Sequence, residues 1–271
     1  KPKFKIKNIA YINDNLSRIN KYKNFLKNID FIIYLAAETS VIKSIVRPKI
    51  FLNNNINYLF NLIEIYKKFN EKKIIFASSG GAAVGLDTQI KIKENLMPYP
   101  KSFYGTSKVF GENLLSSSYH SSNLKYISLR FSNIYGPYSN QKDSVIAKFI
   151  KNIIQNKSLE IYGDGKQTRD FIYVDDVVFS IIQAMKVNKN GIYNIGFGKS
   201  TSLNTLVVQF KKILKKHDFI IKHKNIRTGE VLNSSLNINK AKKDLNFLPK
   251  TNLERGLRKT FKWFNLNHLM F

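Results

Sequence analysis

"PKIFLNNNINYLFNLIEIYKKFNEKKIIFASS", residues 48–79, carries two hydrophobic rhythms in succession. In its first part Leu52, Ile56, Leu59, Leu62, Ile63 and Tyr66 fall on one face of a helix, with Pro48 near the first turn, where a missing N–H is tolerated. The run "KKIIFASS" (72–79) then has the length of a buried strand and ends in small residues. Working outward, "DFIIYLAA" (30–37), "KYISLRFSNIYG" (125–136) and "GIYNIGFG" (191–198) are further strand candidates, and 104–120, 145–156, 175–187, 202–216 and 252–266 read as helices. Such alternation predicts an α/β fold around a parallel sheet. Ligands of these sheets bind beyond the carboxyl ends of the strands. The stretches "AAETS", "SSGGAAVG", "RFSNIYGP" and "GFGKS" follow those ends, and their small residues allow a ligand to approach the backbone.

With 271 residues the chain has room for one large domain or two coupled ones. Lys and Arg number 45 against 18 Asp and Glu, a net charge of +27, yet the lysines are spread through nearly every segment. A diffuse excess of this kind does not outline a nucleic-acid surface, and nucleic acid is not expected as a partner. Without cysteine there is no disulfide, thiolate nucleophile or cysteine metal site, which suits a reducing cytoplasm. The four His are scattered, so no metal is expected, and no apolar run has the length of a membrane helix.

Three Tyr-x-x-x-Lys spacings occur in this chain of 14 Tyr. Tyr138 and Lys142 follow Gly136-Pro137, and Tyr162 and Lys166 straddle the turn sequence Gly163-Asp164-Gly165. Only Tyr104 and Lys108 lie in a helical pattern, where residues four apart share a face. That spacing alone leaves open a catalytic pair or two surface residues.

Six motifs decide between them. "IIYLAAETSV", "FASSGGAAVG", "YPKSFYGTSK", "LRFSNIYGP", "GDGKQTRDFIYVDDVV" and "RTGEVLNSSLNINKAKKDLNF" together resemble the extended short-chain dehydrogenase/reductases that act on nucleotide sugars, especially NAD-dependent epimerases of the UDP-glucose 4-epimerase type. The resemblance is collinear over roughly residues 12–265. It implies a Rossmann-like doubly wound parallel sheet over 1–137, to which 171–198 returns, and a smaller α/β substrate-binding domain mainly within 138–271.

The resemblance also implies roles. Tyr104 would be the acid/base, and Lys108 its electrostatic partner and a holder of the nicotinamide ribose. Ser79 would hydrogen-bond the reacting sugar hydroxyl, with Ser78 as the alternative if the register slips. Asn133, Arg169, Arg227 and Glu230 would contact the nucleotide sugar, and Asp14, Ala36 and Ala37 the cofactor. A tyrosine, whose unperturbed pKa is near 10, needs a large downward shift to act as a base near neutrality, and nearby positive charge favours the phenolate. Related dehydratases carry an Asp-Glu pair after the hydroxyl residue; Gly80-Gly81 stand here, which favours epimerisation. The implied cofactor is NAD and the partner a UDP-sugar. Other nucleotide-sugar chemistry, or binding without turnover, are the alternatives. A homodimer through a bundle including the 48–70 and 104–120 helices is a further expectation.

The sequence departs from the family at its start. No glycine-rich G-x-x-G-x-x-G turn precedes residue 80, and the first residue is Lys1, so an N-terminally truncated sheet is expected. Val84 replaces the Tyr usual in the family's "VYG", and Tyr34 replaces a frequent His before "LAA".

Overall fold

The computed structural model describes residues 6–69, 71–85, 90–215, 218–226 and 232–267. Four parallel strands form its main sheet: β1 (Phe31–Tyr34), β2 (Lys73–Ser79), β3 (Lys125–Phe131) and, later in the chain, a fourth strand at Gly191–Ile195. Between β3 and that fourth strand come β4 (Asn133–Tyr135), β5 (Leu159–Tyr162) and β6 (Thr168–Tyr173), so Gly191–Ile195 is β7; β8 (Ser200–Ser202) and β9 (Ile221–Lys224) follow. The main sheet has the order β1-β2-β3-β7, in a register that sets Ser79 opposite Phe131, and Phe131 opposite Ile195.

Apolar packing covers both faces of this sheet. On one, Ile74 and Phe76 join Leu59, Leu62, Ile63 and Leu115; on the other, Ile75, Ile127 and Leu129 join Val177, Ile181 and Ala184 of the helix Val174–Lys186. Coverage thins at β1, where the alternate residues Phe31 and Ile33 and the following Leu35 are 40–58% exposed. A smaller unit is built on β4-β6-β8, with β5 and β9 paired beside it. Its own core contains Phe149, Ile150, Leu159, Phe171, Leu206, Phe210, Leu257 and Phe264. The helix Val174–Lys186 and β7 lie with the main sheet, whereas β6 lies in the smaller one.

Three local features differ from the sequence reading. The single strand expected over 125–136 divides at Ser132 into β3 and β4, which belong to different sheets. The helix expected over 48–70 runs from Pro48 to Tyr66 and widens into a π-turn at Asn53–Asn57. There Asn55 turns inward: its side chain accepts from the Glu38 N–H and donates to the Glu38 carbonyl and the Ser107 hydroxyl, tying three segments together. The residues after β2, expected only as a small-residue stretch beyond the strand end, form a short helix, Gly80–Val84.

Helix Phe103–Ser122 starts at Ser102, whose hydroxyl accepts from the Gly105 N–H, and ends at Asn123 in the left-handed conformation. It approaches Gly80–Val84 so closely that a Cβ on Gly105 would sit 2.1 Å from the Ala82 carbonyl oxygen. Only glycine permits that approach, which brings the start of the helix to the carboxyl end of β2.

Candidate active site

Tyr104, Lys108 and Glu112 stand at successive four-residue steps on helix Phe103–Ser122, so their side chains form one stripe. The stripe faces the last three residues of β2, and each member is bonded to one of them. Tyr104 hydrogen-bonds Ser79. Lys108 Nζ donates to the Ala77 carbonyl at 2.7 Å. Glu112 Oε1 accepts from the Ser78 hydroxyl at 2.5 Å. The structure therefore brings together Ser79, Tyr104 and Lys108, and it separates the two serines: Ser79 serves the tyrosine, Ser78 the glutamate. Ser79 precedes the helix Gly80–Val84 but its side chain makes no capping bond there.

The electrostatics of the pair come from burial. Burial pushes the Tyr104 phenol up to about 12, with the Ser79 hydrogen bond pulling the other way. Burial also lowers Lys108 to about 8, against the opposing charge of Glu112. The Lys108 ammonium lies over the Phe76 and Tyr104 rings, 4.9 and 5.7 Å from their centroids. For Tyr104 the burial outweighs the Ser79 hydrogen bond.

The remaining sequence-derived residues are placed as follows. Asn133 opens β4 two residues beyond Phe131, the register partner of Ser79, and is exposed. Ala36 and Ala37 follow β1, the strand beside β2, with Ala36 exposed. Arg169, on β6, donates to the Thr168 and Leu232 carbonyls, both at 2.9 Å. Asp14 accepts from the Tyr22 hydroxyl at 2.7 Å and from the Asn15 N–H, and pairs with Arg18 at 3.5 Å, so its carboxylate serves local contacts. Arg227 and Glu230 lie outside the described residues.

The residues present fit the reactive end of a dinucleotide. Lys108 commits one of its three ammonium donors to Ala77 among the described residues, leaving donors for a ribose diol. Ser79 and Tyr104 supply a hydroxyl pair at a strand's carboxyl end.

Sequence reasoning did not single out Glu112, Arg130 and Asn55. A signal for Glu112 was present, because it continues the Tyr104–Lys108 spacing by one further step. Arg130 meets it from β3 with a bidentate pair, Nε to Oε1 and Nη2 to Oε2, both 2.8 Å, and each side chain is 2% exposed.

Comparison with known proteins finds relatives of the whole fold. A putative UDP-glucose 4-epimerase of Methanocaldococcus jannaschii is 36% identical over 89% of this chain and 79% of its own length. The crystal structure of UDP-glucose 4-epimerase from Thermotoga maritima with UDP-glucose superposes with a TM-score of 0.91 at 31% identity, covering 98% of this chain and 89% of that one. That of UDP-glucuronic acid 4-epimerase from Bacillus cereus in complex with UDP-glucuronic acid and NAD gives 0.86 at 28% identity, covering 94% and 81%. The family description matched over residues 3–196, from before β1 to just past β7, is "NAD dependent epimerase/dehydratase family", and this chain belongs to it.

Proposed function

We propose that the protein is an NAD-dependent enzyme that epimerises a UDP-sugar at C4. The observation that carries this reading is the joining of Ser79, Tyr104 and Lys108 at the carboxyl end of β2, with Gly80-Gly81 in place of further acid groups. Lys108 and Tyr104 would hold the nicotinamide ribose, with Ala36 and Ala37 beside the cofactor and Asp14 toward its adenine end. When bound, NAD supplies hydride acceptance and return at the sugar carbon and a positive charge that favours the phenolate. Tyr104 takes the proton of the sugar hydroxyl and later returns it, while Ser79 holds that hydroxyl and shares the proton's path. Lys108 stabilises the phenolate during the interval. Net redox is zero.

Asn133 and Arg169 would grip the nucleotide sugar together with Arg227 and Glu230, arginine being suited to a diphosphate by its planar, permanently charged fork. We assign the main-sheet unit, to which helix Val174–Lys186 and β7 return, to cofactor binding, and the unit built on β4-β6-β8 mainly to substrate. A cytoplasmic location accords with the cysteine-free sequence and with the absence, among the described residues, of a helix long and apolar enough to cross a membrane. A homodimer is favoured by Ile50 and Phe60 on one helix and Phe103 and Phe110 on its neighbour, all at least 40% exposed.

The test is direct. The chain is supplied with NAD and, separately, UDP-glucose, UDP-glucuronic acid and UDP-N-acetylglucosamine, and the anomeric and H4 proton signals are followed by NMR. Conversion of one to its C4 epimer without net change in NADH supports the reading. Accumulation of NADH or of a decarboxylated or reduced product would assign different nucleotide-sugar chemistry. Binding of UDP-sugar without turnover would assign a binding protein.

A further inference from the structure

Behind the pair proposed to touch substrate lies a buried polar row running across three of the four strands of the main sheet. Ser78, Arg130 and Asn194 are register neighbours on β2, β3 and β7, and all three are at most 4% exposed. Arg130 joins Glu112 in the bidentate pair and also donates to the Glu94 carbonyl at 3.3 Å. Glu94 Oε1 accepts from the Asn194 N–H at 2.9 Å, and the Asn194 amide donates to the Ile92 and Asn237 carbonyls. One helix side chain, Glu112, is the point at which this row takes hold of helix Phe103–Ser122.

An ion pair buried this deeply is a weak source of stability, because desolvation offsets most of its attraction and apolar replacements often do as well. What it does supply is direction: a carboxylate bonded by three donors in fixed positions has little freedom. Glu112 is one helical step from Lys108 and two from Tyr104, so fixing it on Ser78 and Arg130 fixes the axial position of the stripe. We propose that Glu112, held by Arg130 and Ser78, is a positioning residue that sets the register of helix Phe103–Ser122 on β2 and thereby the placement of Tyr104 and Lys108 against Ser79. This rests on the epimerase reading for its consequence in turnover, though the register itself is independent of it. The groups around Lys108 are Tyr104 and Glu112 on its own helix, the Phe76 ring and Ala77 carbonyl on β2, and Arg130 on β3 behind Glu112.

Two measurements test the proposal on the full chain. In Glu112→Met/Arg130→Met both charges are removed and side-chain bulk is kept. This variant is expected to unfold within about 5 °C of the parent, to keep KM for the UDP-sugar within about threefold, and to lose at least about tenfold in kcat. A folded double variant with parental kcat overturns the proposal. Should it not fold, Ser78→Ala removes a single bond of the same set, and an unchanged kcat there has the same meaning.

The second measurement needs no turnover. Lys108 is titrated by NMR of ¹³C-labelled lysine, with Lys108→Arg for assignment, in the parent and in Ser78→Ala, which loosens the hold on Glu112 but leaves its charge in place. A shifted Lys108 pKa in the variant supports the proposal, and an unchanged one overturns it. If the parent converts no UDP-sugar, the epimerase reading fails, and the Lys108 titration alone then decides whether Glu112 governs the stripe.

Discussion

Ser78 and Ser79 are adjacent in sequence, yet their hydroxyls bond side chains two helical turns apart on the same helix, Glu112 and Tyr104. Between them the Ala77 carbonyl takes Lys108. The end of one strand is thus laced to one face of one helix, and most of the expectations below follow from which knot is cut.

Removal of the Tyr104 hydroxyl is expected to abolish proton exchange while leaving the pocket. Tyr104→Phe should lower kcat by about 10²–10⁴-fold, the usual worth of a positioned acid/base group, with UDP-sugar affinity retained by calorimetry. Ser79→Ala should show a smaller loss, since Tyr104 keeps its own hydroxyl. Parental turnover in Tyr104→Phe would remove this residue from the mechanism.

Asn133 and Arg169 should separate in their effects on stability. The Asn133 side chain is exposed at the start of β4, so Asn133→Ala is expected to raise KM about tenfold with an unchanged melting temperature. The Arg169 guanidinium is bonded to the Thr168 and Leu232 carbonyls, so Arg169→Ala should raise KM and also lower the melting temperature. Kinetics and thermal unfolding on both variants check the contrast.

Gly105→Ala places a methyl group against backbone, at Ala82, where nothing flexible can yield. The helix must shift, at a cost of about 1–3 kcal/mol, and the shift moves Tyr104 away from Ser79. Reduced denaturation midpoint together with reduced kcat is the expected result; loss of stability alone would show that the stripe tolerates the displacement.

Lys73 gives stability a pH dependence through its burial. Its ammonium is buried at the end of helix Val174–Lys186, donating to the Ala184 carbonyl at 2.8 Å and to the Val187 carbonyl, and burial lowers it to about 8, with Lys125 adding to the effect. Unfolded, it titrates near 10.5. Between these values the unfolded chain binds the extra proton, so this residue's contribution to stability rises as pH increases from about 8 to about 10.5. The melting temperature of the parent minus that of Lys73→Met should therefore increase across this window. A flat difference would show that the helix-end carbonyls compensate its burial in full.

Much of this arrangement was legible in the sequence because it is carried by local pattern. The four main-sheet strands announce themselves as short apolar runs, and the Tyr104–Lys108 pair as a helical spacing inside a collinear set of motifs. The break at Ser132 was not legible, since "RFSNIYG" continues in extended chain on both sides and only tertiary pairing sends β4 to another sheet. Strands β5, β6, β8 and β9 are three to six residues long and find their partners far along the chain, which no local signal reports. Asn55 was hidden for a similar reason: within "NNNIN" nothing distinguishes the one asparagine that turns inward.

The order β1-β2-β3-β7 also sets a timetable for synthesis. β3 ends at Phe131, and its neighbour β7 begins at Gly191, after β4, β5 and β6 have been made. A ribosome releasing the chain from its N-terminus delivers Ser79, Tyr104 and Lys108 early, but Asn194, at the far end of the polar row behind them, emerges late. Parallel pairing across so long a separation is slow to form. The nascent chain therefore carries these three residues on an unfinished sheet until β7 slots in beside β3.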